Sequence, residues 1–324
     1  MSEDAIVEVE DLRKTFGGIV AVDGATFDLD RGEITGLIGP NGAGKTTTFN
    51  LLSGFYRPDS GEIRFKGRSL HEYMYPSAQE RRVWALAAGG SFAAAGAWLA
   101  GTSDPTALVT AGGAVGGFAV GAGVYYGQQA FRERFLDERP SRPFALTKAG
   151  LSRTFQITRE LGDMTVLENL MLGPPDQGGE RLTTIWFAPG DVRRQETEIK
   201  DRAVEVLELL DLEHLANEFA GNLSGGQRKL LELGRVLMTD PEVILLDEPV
   251  AGVNPSLQNN LLDRILELRD EGYTFCVVEH DMDVIMTISD TVIVMDQGKV
   301  LVEGPPEIIR EDERVIDAYL GGDE

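Results

Sequence analysis

The sequence predicts an α/β fold in which parallel strands and helices alternate in layers. Three observations predict it. Apolar runs of strand length recur at residues 32–39, 242–249 and 273–280, stretches of helical spacing separate them, and the first run leads into a glycine-rich loop. Because parallel strands need long crossover connections, this alternation favours a sheet whose faces are covered by helices.

The other elements follow in chain order. Residues 6–27 alternate apolar and polar positions, which indicates antiparallel strands, and residues 60–70 predict another strand pair closed by Gly67. Helical spacing of apolar residues recurs in four stretches. These stretches are residues 45–55, 198–212, 224–238 and 254–272.

The composition limits the function. The chain has 53 acidic and 30 basic residues, and the net charge of −23 excludes general nucleic-acid binding because the surface repels phosphate backbones. Such an acidic surface also suggests adaptation to high salt. The single cysteine, Cys276, lies in an apolar run and indicates core packing. Residues 1–14 carry no secretory signal pattern, so we expect the chain to stay in the cytoplasm.

A loop that follows the first buried strand and opens a helix predicts nucleotide binding. Its glycines would let backbone N–H groups surround the phosphates, while Lys45 reaches the outer phosphates and the Thr46 hydroxyl binds Mg²⁺. The alternative is a glycine-rich turn followed by lysine and threonine by chance. The predicted phosphate-binding residues are Gly39, Pro40, Asn41, Gly42, Ala43, Gly44, Lys45, Thr46 and Thr47.

Two acidic residues end the buried strand at residues 242–249. Ligands of an open α/β sheet gather at the carboxyl ends of the strands, so Asp247 is predicted to bind Mg²⁺ there. The adjacent Glu248 is the candidate for polarising an attacking water. The alternative is a pair of solvated acids at the end of a strand.

A second candidate phosphate site precedes the helix at residues 224–238. A serine and two glycines before a helix form another cluster of backbone N–H groups. One ATP does not need two such clusters from one chain, so the second predicts a nucleotide held by another chain. The residues of this motif are Ser224, Gly225, Gly226 and Gln227.

That motif, between the phosphate loop and the acidic pair, resembles the signature of ABC-type ATPases, in which two cassettes enclose two ATP molecules head to tail. The resemblance implies a cassette with a mixed core sheet, an antiparallel β subdomain and a helical subdomain. It also implies that Gln156 contacts Mg²⁺ and the attacking water, that His280 contacts the γ-phosphate and that Phe16 stacks on adenine. Phe16 has the alternative of an ordinary core residue. Asn254 departs from the aspartate that many cassettes have in the following loop.

Residues 5–70 and 147–321 resemble one subgroup of these ATPases more specifically. The subgroup consists of the ATP-binding subunits of branched-chain amino-acid importers and of the related urea and amide importers. This resemblance implies ATP hydrolysis coupled to transport. The implied partners are a second cassette, identical or paralogous, two transmembrane permease subunits and, indirectly, an extracytoplasmic solute-binding protein. The alternative is an ABC-type ATPase outside transport, in DNA repair, in translation or as a membrane-tethered regulator.

These motifs predict an ATPase domain of residues 1–73 and 147–324, with a helical subdomain near 157–238, and an insertion of residues 74–146. Within the insertion, residues 83–101 and 107–127 each have the length of a membrane-spanning helix. Arginines flank the outer ends of the pair, which fits both ends in the cytoplasm. We therefore expect a transmembrane hairpin that anchors the subunit at the cytoplasmic face of the membrane. The alternatives are a soluble apolar hairpin or an Ala/Gly-rich linker.

Overall fold

The computed structural model describes residues 4–74, 115, 118–120, 144–154, 161–180, 186 and 188–320. The chain divides into two compact units. The first consists of Met1–Leu70 and Pro143–Glu324, and the second of His71–Arg142. In the second unit the described residues Val115, Phe118 and Val120 are helical and have exposed side chains.

The first unit contains a four-stranded antiparallel sheet. Its order is β2-β1-β4-β5, and the strands are β1 (Ala5–Phe16), β2 (Ile19–Asp30), β4 (Ser60–Phe65) and β5 (Arg68–Ser69). Val9 lies opposite Phe27 on one side and Ile63 on the other. Alternate apolar side chains of β1 are buried while Glu10 is exposed, so the period-two pattern of the sequence produces a half-buried sheet. The predicted antiparallel β subdomain is confirmed.

The same unit contains a six-stranded mixed sheet. Its strands are β3 (Ile34–Ile38), β6 (Leu151–Arg153), β7 (Val243–Asp247), β8 (Thr274–Val278), β9 (Thr291–Asp296) and β10 (Lys299–Gly304). Their order in the sheet is β10-β9-β3-β8-β7-β6, and neighbouring strands are parallel except β10, which runs antiparallel to β9. Every residue of β3, β7 and β8 is buried, as expected for parallel strands covered on both faces.

Helices cover this sheet, as the sequence predicts. Among the residues that the structure describes, three short 3₁₀ turns lie at Gly178–Glu180, Glu213–Leu215 and Ala220–Asn222. The α-helices with described bounds are α1 (Lys45–Leu52), α2 (Leu70–Met74), α3 (Phe144–Ala149), α4 (Val166–Met171), α5 (Pro189–Leu209), α6 (Gly225–Leu237), α7 (Pro255–Asp270), α8 (Met282–Ile288), α9 (Pro306–Glu311) and α10 (Glu313–Leu320).

One continuous core joins the mixed sheet to the helices that pack on it. It includes Ile34 of β3, Ile244 of β7 and Leu170 of α4, all fully buried. Cys276 lies in this sheet with 1% of its surface exposed, and burial raises the pKa of its thiol to about 12. The expectation that this cysteine serves packing is therefore confirmed.

Two elements differ from the sequence-based expectations. The helix predicted at residues 45–55 ends at Leu52, because Gly54 adopts a positive φ of 70° that turns the chain. The helix predicted at residues 198–212 begins earlier, at Pro189, where proline favours the first turn.

The predicted transmembrane hairpin, residues 83–101 and 107–127, lies almost wholly outside the described residues. Within the part of the chain that the structure describes, no helix is both long enough and apolar enough to cross a membrane.

Candidate functional site

The carboxyl ends of four strands bring several predicted site residues, and Arg153, to one edge of the mixed sheet. The phosphate loop follows β3, Asp247 ends β7 and Glu248 follows it, His280 comes shortly after β8, and Arg153 ends β6. Since these strands are parallel, their carboxyl ends share an edge, which is where ligands of open α/β sheets bind.

The phosphate loop has backbone positions that only glycine fits. Gly39 has a φ of 151°, and a Cβ atom there would lie 2.1 Å from the Met295 carbonyl oxygen. Gly44 has a φ of 98°, and a Cβ there would lie 2.4 Å from the Ala21 carbonyl oxygen. The loop is thus pressed against neighbouring backbone on its inner side. Gly42, by contrast, has open space around it, as a position that a ligand approaches requires.

Lys45 at the start of α1 is held inside this loop. Its Nζ donates hydrogen bonds to the carbonyl oxygens of Gly39, at 2.6 Å, and Pro40, at 3.1 Å. Burial lowers the pKa of Lys45, and the negative charge of Glu248 opposes that effect. Gly44, the N-cap residue, has no side chain to cap α1, so the N–H groups in the first turn of α1 depend on other acceptors. A phosphate group can accept hydrogen bonds from these N–H groups and can also pair with the charge of Lys45.

Asp247 is a buried acid and not a solvated strand end. Its side chain is 8% exposed, and its Oδ2 lies 2.7 Å from Nη2 of Arg153. Arg153 also donates to Asn50 Oδ1 at 2.6 Å and to Ser53 Oγ at 2.9 Å. The arginine therefore joins the end of β7 to helix α1, which follows the phosphate loop.

Glu248 and His280 are in direct contact. His280 Nε2 lies 2.9 Å from Glu248 Oε1, with the carboxylate side chain 19% exposed and the imidazole 55% exposed. Glu248 has a left-handed backbone φ of 48°, and its N–H donates to the Val278 carbonyl oxygen. Such a conformation is costly for a non-glycine residue and is often found at functional sites. The strand ends thus hold this acid and base together at the edge of the sheet.

A second buried carboxylate, Glu279, lies behind this pair. Its Oε1 accepts a hydrogen bond from the Val250 N–H at 3.0 Å, and its Oε2 accepts from the His280 N–H at 3.3 Å. Burial raises the pKa of Glu279, although these two N–H groups oppose the rise. The side chain links the loop after Glu248 to the backbone of the histidine.

The signature motif forms a capping box at the start of α6. Ser224 Oγ accepts from the Gln227 N–H at 3.3 Å, and Gln227 Oε1 accepts from the Ser224 N–H at 2.9 Å. Gly225 is exposed with nothing near its Cβ position, whereas Gly226 is buried against Leu257. The two glycines therefore meet different demands: one leaves space outside the helix, and the other allows α6 to pack on α7.

Phe16 is not a core residue, so that alternative is wrong. It ends β1 with 38% of its surface exposed, and its ring meets Tyr56 edge-on at a centroid distance of 5.2 Å. Lys14 Nζ lies 5.4 Å from the ring centroid. Asn254, the residue that departs from the family pattern, caps α7 by accepting from the Ser256 N–H at 2.9 Å. Gln156 lies outside the described residues.

The donor set fits a metal that is bound together with a nucleotide. Among the residues that the structure describes, no three His, Cys, Asp or Glu side chains form a group able to hold a metal ion. Mg²⁺ commonly uses one or two protein ligands together with water and substrate phosphates. The buried Asp247 and the exposed Thr46 at the start of α1 agree with that mode.

Sequence reasoning missed Arg153 and Glu279 as site residues. A signal was present for Glu279, a charged residue directly after an apolar strand run, at the edge where ligands bind. Arg153 follows residues 150–152, which form no apolar run, so the sequence contains no comparable signal for it. The sequence did not reveal which acid Arg153 contacts, because Asp247 lies 94 positions further along the chain.

Comparisons with known proteins agree with this geometry. A family model described as ABC transporter matches residues 22–89 and 127–251, and one described as branched-chain amino acid ATP-binding cassette transporter matches residues 299–324. The chain is 34% identical to a probable branched-chain amino acid transport ATP-binding protein LivG of Archaeoglobus fulgidus, over 98% of this chain and 95% of the relative. It is 33% identical to the high-affinity LivG of Escherichia coli, with 98% of each chain covered.

Solved structures give the same assignment. A nucleotide-free ATP-binding cassette from an ABC transporter matches with a TM-score of 0.66 and 30% identity, covering 97% of this chain and 98% of the other. A cassette of an ABC transporter in an ADP conformation matches with a TM-score of 0.65 and 29% identity, covering 98% and 99%. The chain therefore belongs to the ABC transporter family, as an ATP-binding and ATP-hydrolysing cassette.

Proposed function

We propose that this cassette is the ATPase subunit of an importer for branched-chain amino acids or related amides. The observation that carries the catalytic part is the contact between Glu248 and His280 at the same sheet edge as Lys45 and Asp247. The match of residues 299–324 to the branched-chain amino acid cassette model, together with the relatives' names, supports the substrate class.

In this proposal the phosphate loop and Lys45 bind the outer phosphates of ATP. Carbonyl contacts hold the Lys45 Nζ inside the loop, and this supports the proposal that it meets those phosphates. Thr46, Asp247 and Gln156 are the proposed metal ligands. Mg²⁺, when bound, neutralises phosphate charge and stabilises the charge that develops during transfer.

Glu248 is proposed to orient the attacking water and accept its proton, since its carboxylate is partly accessible at the sheet edge. His280 contacts that carboxylate and would contact the γ-phosphate. Phe16, exposed at the end of β1, is the proposed stacking partner of adenine.

The signature motif supports a dimer of cassettes. The capping box uses the N–H groups of Ser224 and Gln227 at the start of α6, and the N–H groups of Gly225 and Gly226 are the ones proposed to meet a phosphate. We propose that Ser224, Gly225, Gly226 and Gln227 face the γ-phosphate of ATP held by a second cassette. That cassette is identical or paralogous to this chain.

Two transmembrane permease subunits are the proposed partners at the cytoplasmic face of the membrane, with an extracytoplasmic solute-binding protein acting indirectly. Affinity purification from native membranes tests this assembly. We expect permease subunits to be recovered with the chain. Recovery of nucleic-acid-processing proteins instead would contradict a role in transport.

Replacing Glu248 by glutamine tests the catalytic assignment. The E248Q substitution removes the proton acceptor while keeping the size of the side chain, so we expect steady-state ATP hydrolysis to fall by at least about 100-fold. ATP binding, measured by equilibrium dialysis, should stay within about twofold of wild type because the phosphate loop is unchanged.

The matched control is Glu205→Gln, the same exchange at an exposed position of α5. This control should hydrolyse ATP at the wild-type rate. Wild-type turnover in E248Q would overturn the assignment of Glu248 as the general base, whereas joint loss of binding and turnover would point to damage of the nucleotide site.

A further inference from the structure

Arg153 connects the metal-binding acid to the helix that follows the phosphate loop. Its side chain is 11% exposed, and it lies between β7 and α1. Its two terminal nitrogens are satisfied by Asp247, Asn50 and Ser53. The guanidinium carbon lies 4.8 Å from the centroid of the Phe49 ring, so an aromatic face supports its position.

The pairing with Asp247 provides a counter-charge for a buried carboxylate. A buried acid without a partner is strongly unfavourable, and Arg153 supplies that partner through Oδ2 at 2.7 Å. Asn50 and Ser53 fix the guanidinium from the other side, at 2.6 and 2.9 Å. The arginine is therefore held in place by more than the acid it neutralises.

A divalent cation at Asp247 would have to share this carboxylate with a fixed positive charge. The two cations repel each other, and the repulsion is stronger in a partly buried site than in bulk water. The Arg153 guanidinium therefore weakens the binding of the divalent cation to Asp247, and the divalent cation weakens the ion pair between Asp247 and Arg153.

We propose that Arg153 is a positioning residue that stabilises Asp247 in the metal-free cassette and thereby weakens the binding of Mg²⁺ with nucleotide. The inference rests on the proposed function, in which Asp247 binds the metal. The physical consequence is a smaller free-energy difference between the metal-bound and metal-free cassettes, which favours release of the metal with the product.

The test measures how much Mg²⁺ strengthens nucleotide binding by the full chain. The probe is methylanthraniloyl-labelled ADP, whose Kd is determined once in MgCl₂ and once in EDTA, so that no turnover is involved. For R153Q and R153M, which remove the charge, we expect the ratio of Kd in EDTA to Kd in MgCl₂ to rise about fivefold or more. R153K keeps the charge and should stay within about twofold of wild type.

Several outcomes would overturn the inference. An unchanged or smaller ratio in folded R153Q or R153M would show that Arg153 does not compete with the metal. An equal rise in R153K would show that lost packing, and not lost charge, is the cause. A solely structural role would lower the melting temperature of all three variants without changing the ratio.

D247N separates this inference from the proposed function on which it rests. If Asp247 binds the metal, the D247N variant loses most of the Mg²⁺ enhancement of nucleotide binding. An unchanged enhancement in D247N would overturn the metal assignment itself. Loss of enhancement in D247N together with a wild-type ratio in R153Q would overturn only the role of Arg153.

Discussion

Glu279 illustrates how a single side chain holds the site. It lies 4% exposed behind Glu248 and His280, and its two oxygens accept hydrogen bonds from the N–H groups of Val250 and His280. Because a carboxylate only accepts, it can satisfy both donors, whereas an amide can satisfy one. The backbone on both sides of the Glu248–His280 contact is therefore fixed by one charged group.

Replacing Glu279 by glutamine is expected to lower the free energy of unfolding by about 1–3 kcal/mol near pH 5, because one buried N–H loses its acceptor. Burial raises the pKa of Glu279 above its ordinary value, so the folded state binds the proton more tightly than the unfolded state. Wild-type stability then falls as the pH rises from the ordinary pKa of the side chain through the raised pKa, and the variant lacks this fall.

Urea denaturation of both proteins at pH 5 and pH 8 measures the effect. The stability advantage of wild type over E279Q should be larger at pH 5 than at pH 8. A gap that widens toward pH 8 would contradict the raised pKa. Equal stability of wild type and E279Q at both pH values would contradict the hydrogen-bonding role of Glu279.

At the scale of the element, capping boxes set the starts of two helices. Thr165 and Glu168 cap α4 in the same way as Ser224 and Gln227 cap α6. Backbone and side-chain hydrogen bonds from Thr165 lower the pKa of Glu168. The start of α6 is predictable from sequence because its cap uses residues only three positions apart. The packing of Gly226 against Leu257 is not predictable in this way, because the two residues are 31 positions apart.

The glycine pair of the signature motif gives a prediction at this scale. Gly226→Ala would place a Cβ 2.7 Å from Leu257, so we expect the melting temperature to fall by several degrees as α6 shifts from α7. Gly225→Ala is the matched control, because it has the same chemistry one position earlier and open space around the added Cβ.

Differential scanning fluorimetry compares the two variants. Gly225→Ala should melt close to wild type, since alanine is favoured over glycine in a helix. If Gly225 contacts the γ-phosphate of ATP held by the second cassette, the rate of ATP hydrolysis by the Gly225→Ala variant should still decrease. Equal melting of the two variants would contradict the packing role of Gly226.

At the scale of the whole molecule, we predict that the insertion of residues 74–146 anchors the chain in the membrane. Residues 83–101 and 107–127 have the length to cross a hydrocarbon layer of about 30 Å, and arginines flank the pair. Val115, Phe118 and Val120 are helical and their apolar side chains are exposed.

Carbonate extraction of membranes from cells that express the chain without permeases tests the anchor. We expect the full chain to stay with the lipid at high pH, because a spanning hairpin is held by hydrophobic burial and not by charge. A variant with residues 83–127 replaced by a short glycine-serine linker should be released. Release of the full chain would contradict a spanning hairpin.

The sequence by itself determined the family and the fold class, and it indicated most residues of the candidate site. The phosphate loop, the acidic pair after β7 and the signature motif consist of neighbouring residues, so their chemistry is visible in short stretches. Periodicity located strands and helices because local burial sets it. The exposure of Phe16 followed only from the tertiary structure, because an aromatic residue at a strand end fits both a core and a surface.

Only the tertiary structure decided which charged groups meet. Arg153 and Asp247 are 94 positions apart, and Glu248 and His280 are 32 apart, yet each pair is in contact because parallel strands place their carboxyl ends side by side. Strand order is set by packing over the whole chain, and local patterns do not contain it. The sequence therefore supplied the reactive groups, and the order of the sheet decided that Asp247 is held by an arginine and Glu248 by a histidine.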